Sequence, residues 1–149
     1  MTFDDILVPV DGSEASLAAA RHARALAEAF GGRVTLVHVV PNAAYLVGDA
    51  IIVPPLLLNE LDENGKVVME KARAVFQGFS GELAEETLHG DPGAAVSALA
   101  KERGCTLVIM GRRGLGGLAG LLLGSVSNYV LHNTACPTLI VKETGFAGV

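Results

Sequence analysis

Six glycines, two arginines and two serines crowd into seventeen residues, 111–127 (GRRGLGGLAGLLLGSVS). The chemistry such a stretch can do is anion binding. Glycines let the main chain approach a ligand and turn freely, while unpaired N–H groups and a helix N-terminus supply positive potential. The apolar run 106–110 (TLVIM) leads in, and Ser125 opens a helical pattern. The order is therefore buried strand, glycine loop, helix N-terminus, an arrangement that holds a phosphate. The stretch has no lysine. Backbone N–H groups, the helix dipole, the Ser125 and Ser127 hydroxyls and Arg112 or Arg113 must then do the neutralising.

Known phosphate loops can be tested against this spacing. A Walker loop needs Gly-Lys-Ser/Thr, and the Gly124-Ser125 junction lacks the lysine. Gly114, Gly116 and Ala119 satisfy the G-x-G-x-x-A dinucleotide fingerprint. That fingerprint belongs after the first strand with an acidic residue about twenty positions on, and the region near Thr134 offers none. A plain surface loop is the bland alternative. A second polar cluster, Pro9-Val10-Asp11-Gly12-Ser13, follows the first apolar run. Asp11 reads there as a helix N-cap paired with Glu14 in a D-x-x-E box, as a ligand contact, or as both.

The elements that must position these residues alternate. Residues 5–10 (DILVPV) suit a strand covered on both faces. A helix follows over 14–30, with Ala19, Ala23, Leu26 and Phe30 on one stripe and Gly31-Gly32 at its end. Residues 33–40 (RVTLVHVV) form the second strand, and 41–58 are the least readable segment. A helix over 59–79 carries Leu61, Val68, Ala72, Val75 and Phe79 on one face, with Gly65 interrupting the stripe. Residues 82–88 form a strand whose Glu85-Glu86 suit an outer position. Asp91-Pro92 starts a helix with Ala95, Val96, Leu99 and Ala100 inward, and Gly104 ends it. The 106–110 strand, the glycine loop, a helix over 125–132 and a last strand over 137–141 complete the chain. Five strands alternating with helices predict an α/β fold, a single doubly wound parallel sheet with helices on both faces. Ligands bind such sheets beyond the carboxyl ends of the strands.

Bulk properties narrow the function. A length of 149 residues suits one domain, and 50% hydrophobic with 18% charged residues describes a globular chain. The net charge of -5 argues against nucleic acid as a partner. Cys105 and Cys136 lack metal-ligand spacing and read as reduced thiols, which fits a cytoplasmic protein. The first residues show no basic region followed by an apolar core, so no signal peptide is expected. The greasy stretch 43–58 is broken by Asp49 and Pro54-Pro55 and is too short to insert in a membrane. It reads as packed over the sheet, at a subunit contact, or as a lid. His22, His38, His89 and His132 form no cluster and read as helix-face or core residues.

One spacing is specific. Gly111, two residues, Gly114, nine residues, then Gly124-Ser125 is G-x2-G-x9-G-[S/T]. It resembles the ATP-binding branch of the universal stress protein family. The likeness extends to ILVPVDGSE (6–14), LVHVV (36–40), Gly90-Asp91-Pro92 and CPTLIVK (136–142), in family order along nearly the whole chain. The resemblance implies a Rossmann-like sheet of order 3-2-1-4-5, which makes the first and fourth strands neighbours. It implies ATP as the ligand. Pro9 and Val10 would lie beside the base, Asp11 near the ribose and phosphates, and Val39 would present backbone groups to the adenine edge. Met110 would pack on the nucleoside. Gly111, Arg112 and Gly114 would begin the phosphate wrap, and Gly124, Ser125, Val126 and Ser127 would complete it. Asp11 beside phosphate is explained by a ribose hydroxyl or by a divalent cation and its waters, which makes Mg2+ a reasonable companion.

Two function classes follow. One is a nucleotide-binding stress-response or signalling module whose occupancy alters dimerisation, through the last strand, or the binding of a protein partner. The other is a slow ATP-hydrolysing or adenylate-using enzyme. Hydrolysis needs a residue to orient water, and no histidine or glutamate is placed for it by motif, so binding is the preferred reading. A phosphorelay receiver is excluded because Asp4 and Asp5 precede the first strand and the third ends at Leu88-His89-Gly90. The family's non-nucleotide branch lacks the glycines present here.

Overall fold

The carboxyl ends of two neighbouring central strands, β1 (Asp5–Pro9) and β4 (Leu107–Gly111), lie side by side. The computed structural model describes residues 2–42, 55–112 and 123–142. Arg113, Gly114, Gly116, Gly117, Gly120 and most of the 43–58 stretch lie outside the described residues. Within them, β2 spans Arg33–Val40, β3 Leu83–His89 and β5 Thr138–Val141. The helices are α1 (Glu14–Phe30), α2 (Pro55–Ala74), α3 (Pro92–Arg103) and α4 (Ser125–Asn133). The five strands form one parallel sheet in the order β3-β2-β1-β4-β5, as the resemblance implies. Ile6 stands opposite Val34 on one side and Leu107 on the other.

The sheet divides the apolar residues into two layers. Ile6, Val8, Val34, Leu36 and Ile109 face α1 and α2. Leu7, Val37, Val39, Val108 and Met110 face the opposite side, against Val96, Leu99 and Ala100 of α3 and Val130 of α4. Strands covered on both faces need no polar alternation, which is why β1 and β4 read as continuous apolar runs. The alanines of α1, from Ala18 to Ala27, let that helix lie close on the sheet. Its stripe closes at Ala27, because Phe30 is 61% exposed, with its ring edge-to-face with Phe3.

β3 is an edge strand, and its paired glutamates anchor both layers. Glu85 holds Arg73 of α2 at 2.6 Å and Glu86 holds Arg103 of α3. Adjacent strand residues point to opposite faces, so the two charges reach helices on opposite sides.

Helix ends follow the local chemistry with two corrections. Ser13, not Asp11, caps α1: its Oγ accepts from Ser16 N at 3.2 Å, while Asp11 Oδ1 accepts from Ser13 N at 2.9 Å. The carboxylate therefore builds the turn before the cap, and a D-x-x-E box does not form. Asp91 caps α3 as expected, accepting from Ala94 N at 2.8 Å. Gly31 and Gly104 close α1 and α3 in the left-handed conformation. The second correction is α2, which runs from Pro55 to Ala74 rather than over 59–79. Proline is tolerated in a first helical turn. At the other end, Phe76 N and Phe79 N bond three residues back, to Arg73 and Phe76 carbonyls. The apolar spacing outlasts the helix because Phe76 and Phe79 still pack on the core from these turns. Arg24 Nη1 of α1 donates to the carbonyls of Val75 and Gln77, both at 2.9 Å, and fixes that end.

Candidate functional site

The site grows from the two chain exits at the carboxyl ends of β1 and β4. On the β1 side the chain leaves the sheet at Pro9. Val10 N donates to Val37 O at 2.8 Å, the last rung of the β1–β2 ladder among the described residues. Asp11 is half-buried and Gly12 turns with φ +84°. The resulting loop delivers the chain to the N-terminus of α1.

On the β4 side Met110 is buried under the sheet's α3 face. Gly111 then meets the first turn of α1, where a Cβ would stand 2.7 Å from Ala15 Cβ and 2.8 Å from Ala15 C. Arg112 closes the base of the glycine loop. Its N–H donates to Val141 O, and its carbonyl accepts from Gly124 N, each at 2.8 Å. Ser127 Oγ donates to the same carbonyl at 2.8 Å, with Gly124 O at 3.1 Å. Residues 112 and 124–127 are thus held together, with the rest of the loop between them.

Two polar features at this junction lack a counterpart among the described residues. α4 begins after Gly124 without a side-chain cap, whereas α1 and α3 are capped by their own residues. The first N–H groups of a helix have no partner within it, and those of Ser125, Val126 and Ser127 have none among the described residues, which suits them to an anion. Arg112 Nε is buried and has no hydrogen-bond partner among the described residues. An unpaired buried donor carries a desolvation cost, which an anion there would remove. A phosphate group fits this donor set. The Ser127 hydroxyl, by contrast, is 2% exposed and used inside the protein. Ser125 is exposed.

Val39 lies on the other side of the crevice. Along β2 the odd residues turn their main-chain groups toward β1, as Arg33 N to Asp4 O and Val37 O from Val10 N show. The even ones turn toward β3, as Val34 N to Glu82 O and Val40 O from Gly90 N show. Val39 therefore faces the space beyond β1, past the last rung. His38, which the sequence marks only as a polar residue inside an apolar run, is buried with Nδ1 2.8 Å from Val10 O.

Of the expected site residues, the fold brings together Pro9, Val10, Asp11, Val39, Met110, Gly111, Arg112, Gly124, Ser125, Val126 and Ser127 at one end of the sheet. Gly114 lies outside the described residues. Among those described, no group of three or more His, Cys, Asp or Glu is placed to hold a metal ion. A cavity of about 470 Å³ opens at the opposite end of the sheet, lined by Asp4, Glu28, Arg33 and Glu82. Its excess of carboxylates makes it a poor seat for phosphate. No helix among the described residues is long and apolar enough to cross a membrane.

Comparison with known proteins agrees with the fold. The sequence pattern of the universal stress protein family matches residues 2–142. Universal stress protein MJ0531 of Methanocaldococcus jannaschii is 32% identical over 141 residues, covering 95% of this chain and 83% of its own. The structure of the protein MJ0577 superimposes with a TM-score of 0.79 at 27% identity, covering 95% of this chain and 97% of the other. The universal stress protein from Archaeoglobus fulgidus in complex with dAMP shares the fold, with a TM-score of 0.70 at 21% identity, covering 95% and 100%. The chain belongs to the universal stress protein family.

Proposed function

We propose that this protein binds an adenine nucleotide, ATP with Mg2+, across the carboxyl ends of β1 and β4, and that occupancy alters its dimerisation or its binding of a protein partner. The observation that carries the reading is the junction of Arg112 with α4. An uncapped helix N-terminus and a buried guanidinium Nε without a described partner stand at the end of the same strand. Pro9, Val10 and Met110 wall the nucleoside, and Asp11 meets the ribose or the cation's waters. Val39 reads the adenine edge, while Gly111, Arg112, Gly114, Gly124, Ser125, Val126 and Ser127 wrap the phosphates. That a protein of this fold is known in complex with dAMP is consistent with an adenylate.

The site reads as one for binding rather than turnover. From 111 to 127 the sequence holds no acidic residue, histidine or lysine, so the loop supplies no side chain of the usual kind to act as a general base. The partner strand is β5, the edge strand opposite β3, which carries Leu139 38% exposed. A second copy would pair along it, in the cytoplasm.

The test is ligand linkage. At about 100 times Kd a ligand adds about 2.7 kcal/mol, which raises Tm by roughly 5–10 °C for a chain of this size. ATP with Mg2+ is expected to give such a shift, and heat-denatured protein to release an adenine nucleotide. No shift at millimolar ATP with protein shown to be nucleotide-free sinks the proposal.

A further inference from the structure

We infer that His38 is a positioning residue for the nucleobase: it takes the Val10 carbonyl out of the β1–β2 ladder and so leaves the main chain of Val39 open to adenine. The inference rests on the nucleotide reading above and deepens it.

The ladder runs by a fixed rule. Arg33 N donates to Asp4 O, and each rung advances by two residues on both strands. Continued, it would bring Val39 N–H to Val10 O. The bonds end instead at Val10 N to Val37 O, and Val10 O lies 2.8 Å from His38 Nδ1. A carbonyl only accepts, so Nδ1 carries the proton and donates. Val10 N–H is then used by Val37 O, and Val10 O takes the imidazole where the ladder would have given it Val39 N–H. Val39 keeps one donor and one acceptor side by side. Adenine presents the complement on its Watson–Crick edge, an acceptor ring nitrogen beside an amino donor. Guanine presents N–H and carbonyl in the reverse order.

The imidazole is itself held. α2 crosses it at Gly65, where a Cβ would stand 3.0 Å from His38 Cδ2 and 3.3 Å from Nε2. One turn on, Val68 Cγ2 lies 3.2 Å from the Cβ position of Gly12. α2 thus presses on both the ring and the turn that carries Asp11, which explains a glycine in mid-helix despite its poor helix propensity.

The experiment is calorimetric titration of wild type, His38→Leu, His38→Asn and His38→Gln with MgATP and MgGTP. Asparagine places an amide nitrogen where Nδ1 stands, and glutamine places it where Nε2 stands. Wild type should prefer ATP. Leucine should weaken ATP about tenfold, the scale of one lost hydrogen bond, with GTP nearly unchanged, so the preference collapses. Asparagine should restore the preference and glutamine should not. A purely structural role would weaken both nucleotides together, and that result overturns the inference, as does a folded His38→Leu with wild-type preference or a rescue by glutamine. Should His38→Leu fail to fold, the asparagine and glutamine pair decides. Wild type that binds neither nucleotide sinks the nucleotide reading and this inference with it. Wild type that prefers ATP while the variants behave alike sinks the inference alone.

Discussion

Ser127 Oγ donates to the Arg112 carbonyl at 2.8 Å, joining the end of β4 to the first turn of α4. Gly124 N–H donates to the same oxygen. One carbonyl therefore fixes both ends of the glycine loop, and the helix N-terminus points where it does because of it.

Ser127 and Ser125 should consequently separate structure from binding. Ser127→Ala removes a buried hydroxyl bond worth about 1 kcal/mol, so Tm should fall by roughly 2–4 °C without ligand, as differential scanning calorimetry would show. Ser125→Ala touches an exposed hydroxyl and should leave the apo Tm within about 1 °C, a surface change, while weakening ATP. Equal apo losses would mean that Ser125 is structural too.

Arg112→Met tests the buried Nε that has no partner among the described residues. Removing a buried donor that has no partner among the described residues relieves its desolvation cost, so the apo protein should be as stable as wild type or more so in urea. Affinity for ATP should drop about tenfold or more, the scale of a charge-assisted bond, and affinity for adenosine should not. A destabilised apo protein would show the guanidinium to be part of the core.

How much of this was legible beforehand depends on whether a residue's role is local. The caps at Gly31, Asp91 and Gly104 and the apolar strands were readable because neighbouring residues determine them. The glutamates of β3 announced an edge strand for the same reason. Asp11 misled because a carboxylate three residues before Glu14 is a valid cap pattern, and only the turn geometry hands the cap to Ser13. The 59–79 spacing outruns the helix end at Ala74 because Phe76 and Phe79 keep the apolar spacing in a turn. His38, Ala15 and Gly65 were invisible as site supports. Their roles come from contacts between β2 and the β1 exit, between α1 and β4, and between α2 and β2. No local pattern encodes contacts across elements of that kind. Adjacency of β1 and β4 likewise came from resemblance to a family rather than from the residues.

Gly111→Ala should fail for a reason unrelated to phosphate. The added Cβ would stand 2.7 Å from Ala15 Cβ, and overpacking of this kind costs typically about 1–3 kcal/mol. The urea midpoint should fall in nucleotide-free protein. Ala15→Gly in the same chain should recover part of that loss, which a phosphate-contact role for Gly111 would not produce.

The two thiols predict an alkaline limb to stability. Burial lifts the Cys105 thiol to about 11, and burial also raises Cys136. Cys105 is 8% exposed, and Cys136 donates its S–H to the Cys105 carbonyl at 3.0 Å. An acid whose folded pKa exceeds its unfolded one favours the fold fully below the unfolded value, about 8.5 for a free thiol. That contribution is lost as the pH rises from there through 11, because the unfolded chain ionises first. Wild type should therefore lose stability from pH 8.5 upward more steeply than Cys105→Ala, measured by urea unfolding at fixed ionic strength. Thiol reagents at pH 8 should modify Cys105 only at the rate of unfolding. A fast-reacting Cys105 in the native protein, or parallel pH curves for the two chains, would show that the thiol is not held neutral by the fold.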